Sequence, residues 1–359
     1  MAYLWYFRLS FLEDFFECFR CSWSVHGVLL QSEVVMQKAI RVCTLNVGMP
    51  QVSVFGRRLE PVPCVNERLA LLPDFIRSLR ADVVFLQELF HARHRQVLMD
   101  RLGEVYPHAT FHDDAGALSL SNGLLCLSRF PLVDARFTPF ADRCWEERLF
   151  VSKGFQDFGI QVGCDVIKVA HTHLTAGGFF SHPEQKKYDA IRTNQIRQML
   201  QQFSLSELGL VVGDFNTGPE VSVLNYQQLT AGLHDVFHGA LEREGSAVTW
   251  DPQNRLNVDG PHKMCPPQRI DLMLCTDSFR KKYSVSAYRT HGHESPMPVS
   301  DHWAVAVDFV PCLKEQPLRM TFLRGFVFVR RVRCFVVRSR SRQRYLFVLG
   351  FDGTLGGKT

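Results

Sequence analysis

The run Val211-Val212-Gly213-Asp214-Phe215-Asn216 ends an apolar strand in a carboxylate and a carboxamide two positions apart. Strand side chains alternate, so Asp214 and Asn216 are expected on one side and Phe215 in the core. Further along, Ser300-Asp301-His302 sets a carboxylate beside an imidazole at the start of a second strand. Hard oxygen donors and a proton acceptor gathered this way suit a divalent cation and a phosphate ester.

Outward from these motifs, short β-branched runs are expected as strands over 39–47, 82–88, 123–128, 166–174, 208–214, 269–275 and 302–309. Between the first two, Asn66 reads as a helix cap ahead of inward Leu69, Leu72, Ile76 and Leu79, with a kink at Pro73. A second helix is expected over 184–203, with Ile191, Met199 and Phe203 inward. Several strands are apolar on both faces and need cover on both sides. The expected fold is α/β: a layered sandwich of two packed mixed β-sheets flanked by helices.

Polar residues recur at the strand ends. Asn46 and Glu88 end the first two strands, and His171 and His173 sit at the end of another. Asp214 and Asn216, Asp271, then Asp301 and His302 complete the series. Singly, each has an ordinary reading: a turn-forming Asn, a solvated Glu, a satisfied core His. Together they fall where α/β enzymes bind their ligands. Oxygen donors with few cysteines nearby select Mg²⁺, with Mn²⁺ as the alternative, over zinc.

This ordered set resembles the endonuclease/exonuclease/phosphatase superfamily, the metal-dependent phosphoesterases related to pancreatic-type deoxyribonuclease. Within it, four stretches are most similar to neutral sphingomyelinases, including the bacterial sphingomyelinase C type. They are the strand and turn 122–131, the Ser152-Lys153-Gly154 segment, Thr172-His173-Leu174-Thr175-Ala176, and Thr249-Trp250-Asp251-Pro252 with Asn254 and Leu256. The resemblance implies a deoxyribonuclease-like sandwich and a Mg²⁺-dependent phosphodiesterase of phospholipase C type. Such an enzyme hydrolyses sphingomyelin or a related choline phospholipid to ceramide and phosphocholine.

It also implies roles. Glu88, assisted by Asn46, holds the principal Mg²⁺, and Asp301 lies in or beside the metal shell. Asp214 and Asn216 orient the attacking water and a phosphate oxygen. His302 is general base or phosphate contact, and Asp271 holds its other ring nitrogen. His173 stabilises the pentacoordinate phosphorus, and Lys153 steadies the phosphate. Three features depart from the pattern. Gly48-Met49 stands where relatives carry Trp, Thr217-Gly218-Pro219 is similar to deadenylase-like members, and His171 offers a second imidazole beside His173. A nuclease or deadenylase is therefore the alternative substrate reading, and an inactive, lipid-tethered binding module is the alternative class.

The chain divides in sequence into an aromatic-rich extension (1–38), a phosphodiesterase domain (39–310) and a basic-hydrophobic tail (311–359). Leu4, Phe7, Phe11, Phe15 and Phe19 recur at helical spacing. That helix is expected to pack on the domain or, alternatively, to lie on a bilayer. Residues 312–359 hold 11 Lys/Arg against 2 Asp/Glu, a net of +9, so residues 1–311 carry −4 of the whole chain's +5. A nuclease for duplex substrates would place its basic surface around the site, which weighs against nucleic acid. The lone pair Cys18 and Cys21 lacks the second half a zinc site needs. The odd number of scattered cysteines, 11, favours reduced thiols and a cytoplasmic setting. Phe179 and Phe180 in Gly177-Gly178-Phe179-Phe180 are expected either to dip into a membrane, a peripheral contact with the phospholipid substrate helped by the arginines of the tail, or to be buried in the domain.

Overall fold

The structure is a computed structural model. It describes residues 19–25, 28–34, 39–54, 57–112, 120–176, 185–260, 262–293, 295, 297–312, 332–338 and 345–351. Two compact units result, Gln37–Pro311 and Met1–Met36 with Cys312–Thr359. In the second unit, β1 (Phe19–Val25) pairs with β2 (Val28–Val34), and β18 (Val332–Arg338) with β19 (Tyr345–Phe351), both antiparallel. Phe19, expected on a helix, opens a strand; the rest of that aromatic stripe lies outside the described residues.

Two mixed sheets build the main unit. The first is ordered β14 (Glu242–Glu244), β16 (Tyr283–His291), β17 (Ala304–Pro311), β3 (Ile40–Asn46), β6 (Val83–Gln87), β8 (Leu125–Ser128), β7 (His108–Thr110). The second is ordered β13 (His234–Asp235), β15 (Asp271–Cys275), β12 (Gly209–Asp214), β11 (Asp165–His173), β10 (Gly154–Val162), β9 (Leu132–Pro139). A short hairpin, β4 (Val52–Val54) and β5 (Arg57–Leu59), stands apart. The helices are α1 (Val65–Leu79), α2 (Ala92–Leu102), α3 (Trp145–Phe150), α4 (Gln185–Gln202), α5 (Val223–Thr230), α6 (Val236–Gly239) and α7 (Asp277–Lys282).

Strand alternation explains the layering. Val42, Val83 and Phe85 share a core with Phe158, Val169, Val212 and Met273 of the facing sheet. Their neighbours Cys43, Leu45, Val84 and Leu86 turn the other way, onto Leu72 and Ile76 of α1 and Leu98 of α2. On the far side, Ala170, Val211 and Leu272 pack on Ile196 and Met199 of α4 and Leu229 of α5. The order is helix, sheet, sheet, helix, as expected of a deoxyribonuclease-like sandwich.

Helix α1 departs in one detail. Asn66 is its second residue; the N-cap is Cys64, at φ 60 and without a side-chain cap. The helix runs on through Pro73, which is buried on the sheet side.

Candidate active site

The register of the strands brings the chemistry to one rim. Asn46 pairs with Gln87 at the ends of the parallel strands β3 and β6. In the other sheet His173 pairs with Asp214, and Asp214 with Asp271, so three ionisable side chains stand on adjacent strands. Glu88 follows β6 in the left-handed region, at φ 60. A non-glycine residue held there marks a local conformation imposed by its surroundings. His302 sits just ahead of β17, bridged to Trp250.

Asn46 ties the two sheets together. Its Nδ2 donates to Glu88 Oε1 at 3.0 Å and to Asp214 Oδ2 at 2.8 Å. Its Oδ1 accepts from the Gly48 amide at 2.9 Å. Asn46 therefore presents nitrogen to the carboxylates, and ligation through its oxygen, as the resemblance implies, would require the carboxamide to turn. Asp214 Oδ1 accepts from the Asn216 amide at 2.8 Å. Strand β12 ends at Asp214, and Asn216 lies in a left-handed turn at φ 47. Simple strand alternation does not place Asn216; the turn does, with its Nδ2 donating to Leu174 O at 3.1 Å. Phe215 is buried, as expected.

The imidazoles separate cleanly. His302 Nδ1 lies 2.8 Å from Asp271 Oδ2, while its Nε2 is 4.0 Å from both Asp214 Oδ2 and Asp301 Oδ2. Burial alone would depress the His302 pKa, but the Asp271, Asp301 and Asp214 carboxylates raise it well above the ordinary value. His173 Nε2 stands 3.4 Å from Asp214 Oδ2 and 3.7 Å from Glu88 Oε1, with no hydrogen bond at either ring nitrogen. Burial, with Lys153 and His302 nearby, pulls its pKa well down, so His173 is neutral. His171 lies one layer deeper. Its Nε2 meets Gln87 Nε2 at 2.7 Å and its ring lies edge-on to Phe85. Burial takes its pKa down to about 3. Replacing His173 with Gln is expected to lower turnover about a hundredfold, the scale of one positioned catalytic group. His171→Gln, a core change, should cost less than a tenth of that; equal losses in kcat for the two variants would contradict this division.

Lys153 is buried with Nζ donating to Leu174 O at 3.1 Å, and burial lowers its pKa. Phe179 and Phe180 lie outside the described residues.

Thr249, already part of the Trp250 motif, and two residues that the motifs did not include, Asn257 and Arg68, hold the frame. Thr249 Oγ1 accepts from the backbone amides of Ile270 and Asp271, at 3.1 and 3.0 Å. Asn257 Nδ2 donates to Asp301 O, beside Asn254 Nδ2 donating to Ser300 O, both at 3.0 Å. The Trp250 stretch thus fastens the loops carrying Asp271 and His302 to each other. Arg68, fully buried, reaches five backbone carbonyls, among them Val47 and Val299 at 2.7 and 3.2 Å. Its place at i+3 and i−4 from Val65 and Leu72, on the apolar stripe of α1, was the available signal. Gly48 is also explained: at φ +54, a Cβ there would stand 2.1 Å from Asp301 Oδ1. A larger residue would be strained at this φ and would push the Asp301 carboxylate out of place.

The donor set fits a hard divalent cation. Ligand atoms of Glu88, His173 and Asp214 lie within 4.8 Å of one another, as do those of Asp214, Asp271 and His302. Burial and Asp301 raise the Glu88 pKa; burial and Asp271 raise that of Asp214 to about 7. Lys153 and His302 offset these buried carboxylates only in part, since both pKa values stay raised, and a cation would supply the remaining counter-charge.

Comparisons with known proteins bear on the fold and the family. In overall structure the chain is similar to sphingomyelinase C from Streptomyces griseocarneus, at TM-score 0.62 and 20% identity over 76% of this chain and 99% of that one. A mutant beta toxin from Staphylococcus aureus with bound magnesium ions matches at 0.60 and 17% over 75% and 99%. Humanized D. rerio TDP2 matches at 0.55 and 17% over 76% and 98%. Identities this low speak to the fold alone. No curated protein matches. The model of the Endonuclease/Exonuclease/phosphatase family matches residues 43–302. That match opens inside β3 and closes on His302, taking in every strand end of the rim, and the chain belongs to the endonuclease/exonuclease/phosphatase family.

Proposed function

We propose that this chain is a Mg²⁺-dependent phosphodiesterase that cleaves sphingomyelin, or a related choline phospholipid, to ceramide and phosphocholine. The convergence of Glu88, Asp214, His173 and the His302–Asp271 pair on one rim carries the reading. The lipid substrate is favoured by the Thr172–Ala176 and Thr249–Leu256 stretches and by the absence of net positive charge in residues 1–311.

Asp214, fixed by Asn46 and the Asn216 amide, orients the attacking water and takes its proton. A carboxylate whose pKa is lifted to about 7 is matched to that task near neutrality. His302, held by Asp271 and protonated, contacts a non-bridging phosphate oxygen through Nε2. Neutral His173 donates to the oxygens as charge builds on phosphorus, and buried Lys153 adds positive potential behind it. Glu88, with Asp301 and Asn46, would hold Mg²⁺, which supplies charge neutralisation at the phosphate and at the poor alkoxide leaving group.

A substrate panel tests this: sphingomyelin vesicles, phosphatidylcholine vesicles, single-stranded RNA and abasic-site DNA, each with Mg²⁺ or EDTA. Phosphocholine release from sphingomyelin, abolished by EDTA, is expected. RNA or DNA cleavage with the lipids untouched would move the chain to the nuclease branch of its family.

A further inference from the structure

Helix α3 is anchored to the catalytic rim on one face and bare on the other. Glu147 is buried, and its Oε2 accepts from Thr175 Oγ1 at 2.5 Å, two residues beyond His173. Cys144, which caps the helix, packs with Tyr188 and Ile191 of α4. Lys153, three residues past the helix, is bonded to the carbonyl of Leu174. Against this fixed inner side, Trp145, Leu149 and Phe150 are 60%, 58% and 50% exposed. Trp145 and Leu149 are four apart and share a face; Glu147, about 200° round the helix from Trp145 at 3.6 residues per turn, faces away from both. Trp145 and Leu149 form one apolar face beside the catalytic rim, with Phe150, about 140° round the helix from Trp145, exposed at its end. Neighbouring large apolar side chains of this kind mark a contact surface, where single exposed ones would not.

The charge identifies what the surface meets. Residues 142–150 hold Arg143 and Arg148 against Asp142, Glu146 and Glu147, and residues 1–311 carry −4 overall. A polyanion or an anionic membrane gains nothing from such a face. An uncharged, zwitterionic bilayer accepts it, because Trp, Leu and Phe gain by leaving water for the acyl boundary. Leu224, 77% exposed at the start of α5, and Met264, 80% exposed in the loop before Asp271, are further exposed apolar side chains in the segments after Asn216 and before Asp271. We infer that α3 is the element by which this protein docks on a zwitterionic lipid surface, seating the bilayer beside His173. The inference rests on the lipid reading of the site for its purpose, but binding is measured without catalysis.

The test uses the full chain and neutral vesicles of phosphatidylcholine and sphingomyelin in a flotation assay with EDTA, so that nothing is cleaved. Wild type should float with the vesicles, equally in low and high salt. Trp145→Ser/Leu149→Ser/Phe150→Ser should partition about a hundredfold less, the scale expected for three apolar side chains. The single variant Leu149→Asp, at an exposed position, should show the same direction if the triple variant does not fold. With Mg²⁺, both should lose hydrolysis of vesicle sphingomyelin and keep hydrolysis of a soluble phosphocholine ester. Four outcomes overturn the inference: no flotation of wild type, unchanged flotation of the variants, flotation abolished by salt, or equal loss on both substrates. A wild-type dimer that the variants convert to monomers would also overturn it, by assigning the face to a second copy. Flotation through α3 without sphingomyelin cleavage would uphold the docking surface and remove the substrate reading alone.

Discussion

Asp214→Asn should abolish phosphodiester hydrolysis, by about 10⁴-fold or more, and leave the fold as stable as before or more so. Residues that act as a unit lose most of their effect when one is removed. Asp214 is bonded to Asn46 and Asn216 and stands 3.4 Å from His173. The stability side follows from electrostatics. Burial and the neighbouring Asp271 raise the Asp214 pKa from 3.8 to about 7 in the fold. A carboxyl raised on folding binds its proton more tightly in the native state. Its ionisation therefore costs nothing below the unfolded value, costs increasingly as pH climbs from 3.8, and costs fully above about 7. In EDTA, wild type should lose melting temperature over that window, and Asp214→Asn should lose less. Added Mg²⁺ should raise the melting temperature of wild type at pH 8 and that of the variant much less. A variant that keeps turnover, or that unfolds at neutral pH, would contradict the site as described.

The residues of the rim were legible because strand ends are. An apolar run closing on Asp214, or on Asn46 before Val47, states both the element and the side on which its last residue emerges. The resemblance, not spacing, paired Asp271 with His302, and their 2.8 Å contact joins the rims of the two different sheets that carry them. Left-handed positions were not legible. Nothing in the residue types of Glu88 and Asn216 announces φ 60 and φ 47, so alternation was extended one residue too far at the end of β12. Asn66 drew the cap because Asn caps helices well, yet the helix starts two residues earlier, at Val65, which is packed in the core. At Phe19 a three-to-four spacing of aromatics imitated a helix where a strand forms. Arginine on a helix reads as a solvated face, and for Arg68 that prior concealed the most heavily bonded buried side chain near the site.

Arg68→Met should cost at least about 3 kcal/mol of stability, and Arg68→Lys should recover only part of it. The guanidinium is enclosed, with Nε donating to Pro63 O at 2.9 Å. Nη1 serves Val47 and Val299, and Nη2 serves Gly48 and Val62, the last at 3.2 Å. Those carbonyls belong to the turn after Asn46, the lead-in to α1 and the loop before Ser300. Methionine would fill the volume and leave the buried carbonyls of Val47, Gly48 and Val299 without this donor, each of which costs free energy. Lysine keeps the charge but cannot span the fork. Burial lowers the Arg68 pKa against the pull of Asp301 and Glu88, so the cation is costly in its place and persists through these bonds. For a unit of this size the loss corresponds to a melting temperature lower by about 6–12 °C. The effect should reach the metal site as well. Ser300 Oγ donates to Asn46 O, so the two loops Arg68 holds are also bonded to each other, with Asp301 next in line. Measured well below its melting temperature, Arg68→Lys should therefore need about tenfold more Mg²⁺ for half-saturation, the usual consequence of disturbing groups that orient metal ligands. A melting temperature within about 2 °C of wild type for Arg68→Met would show that the loops around the rim hold without it.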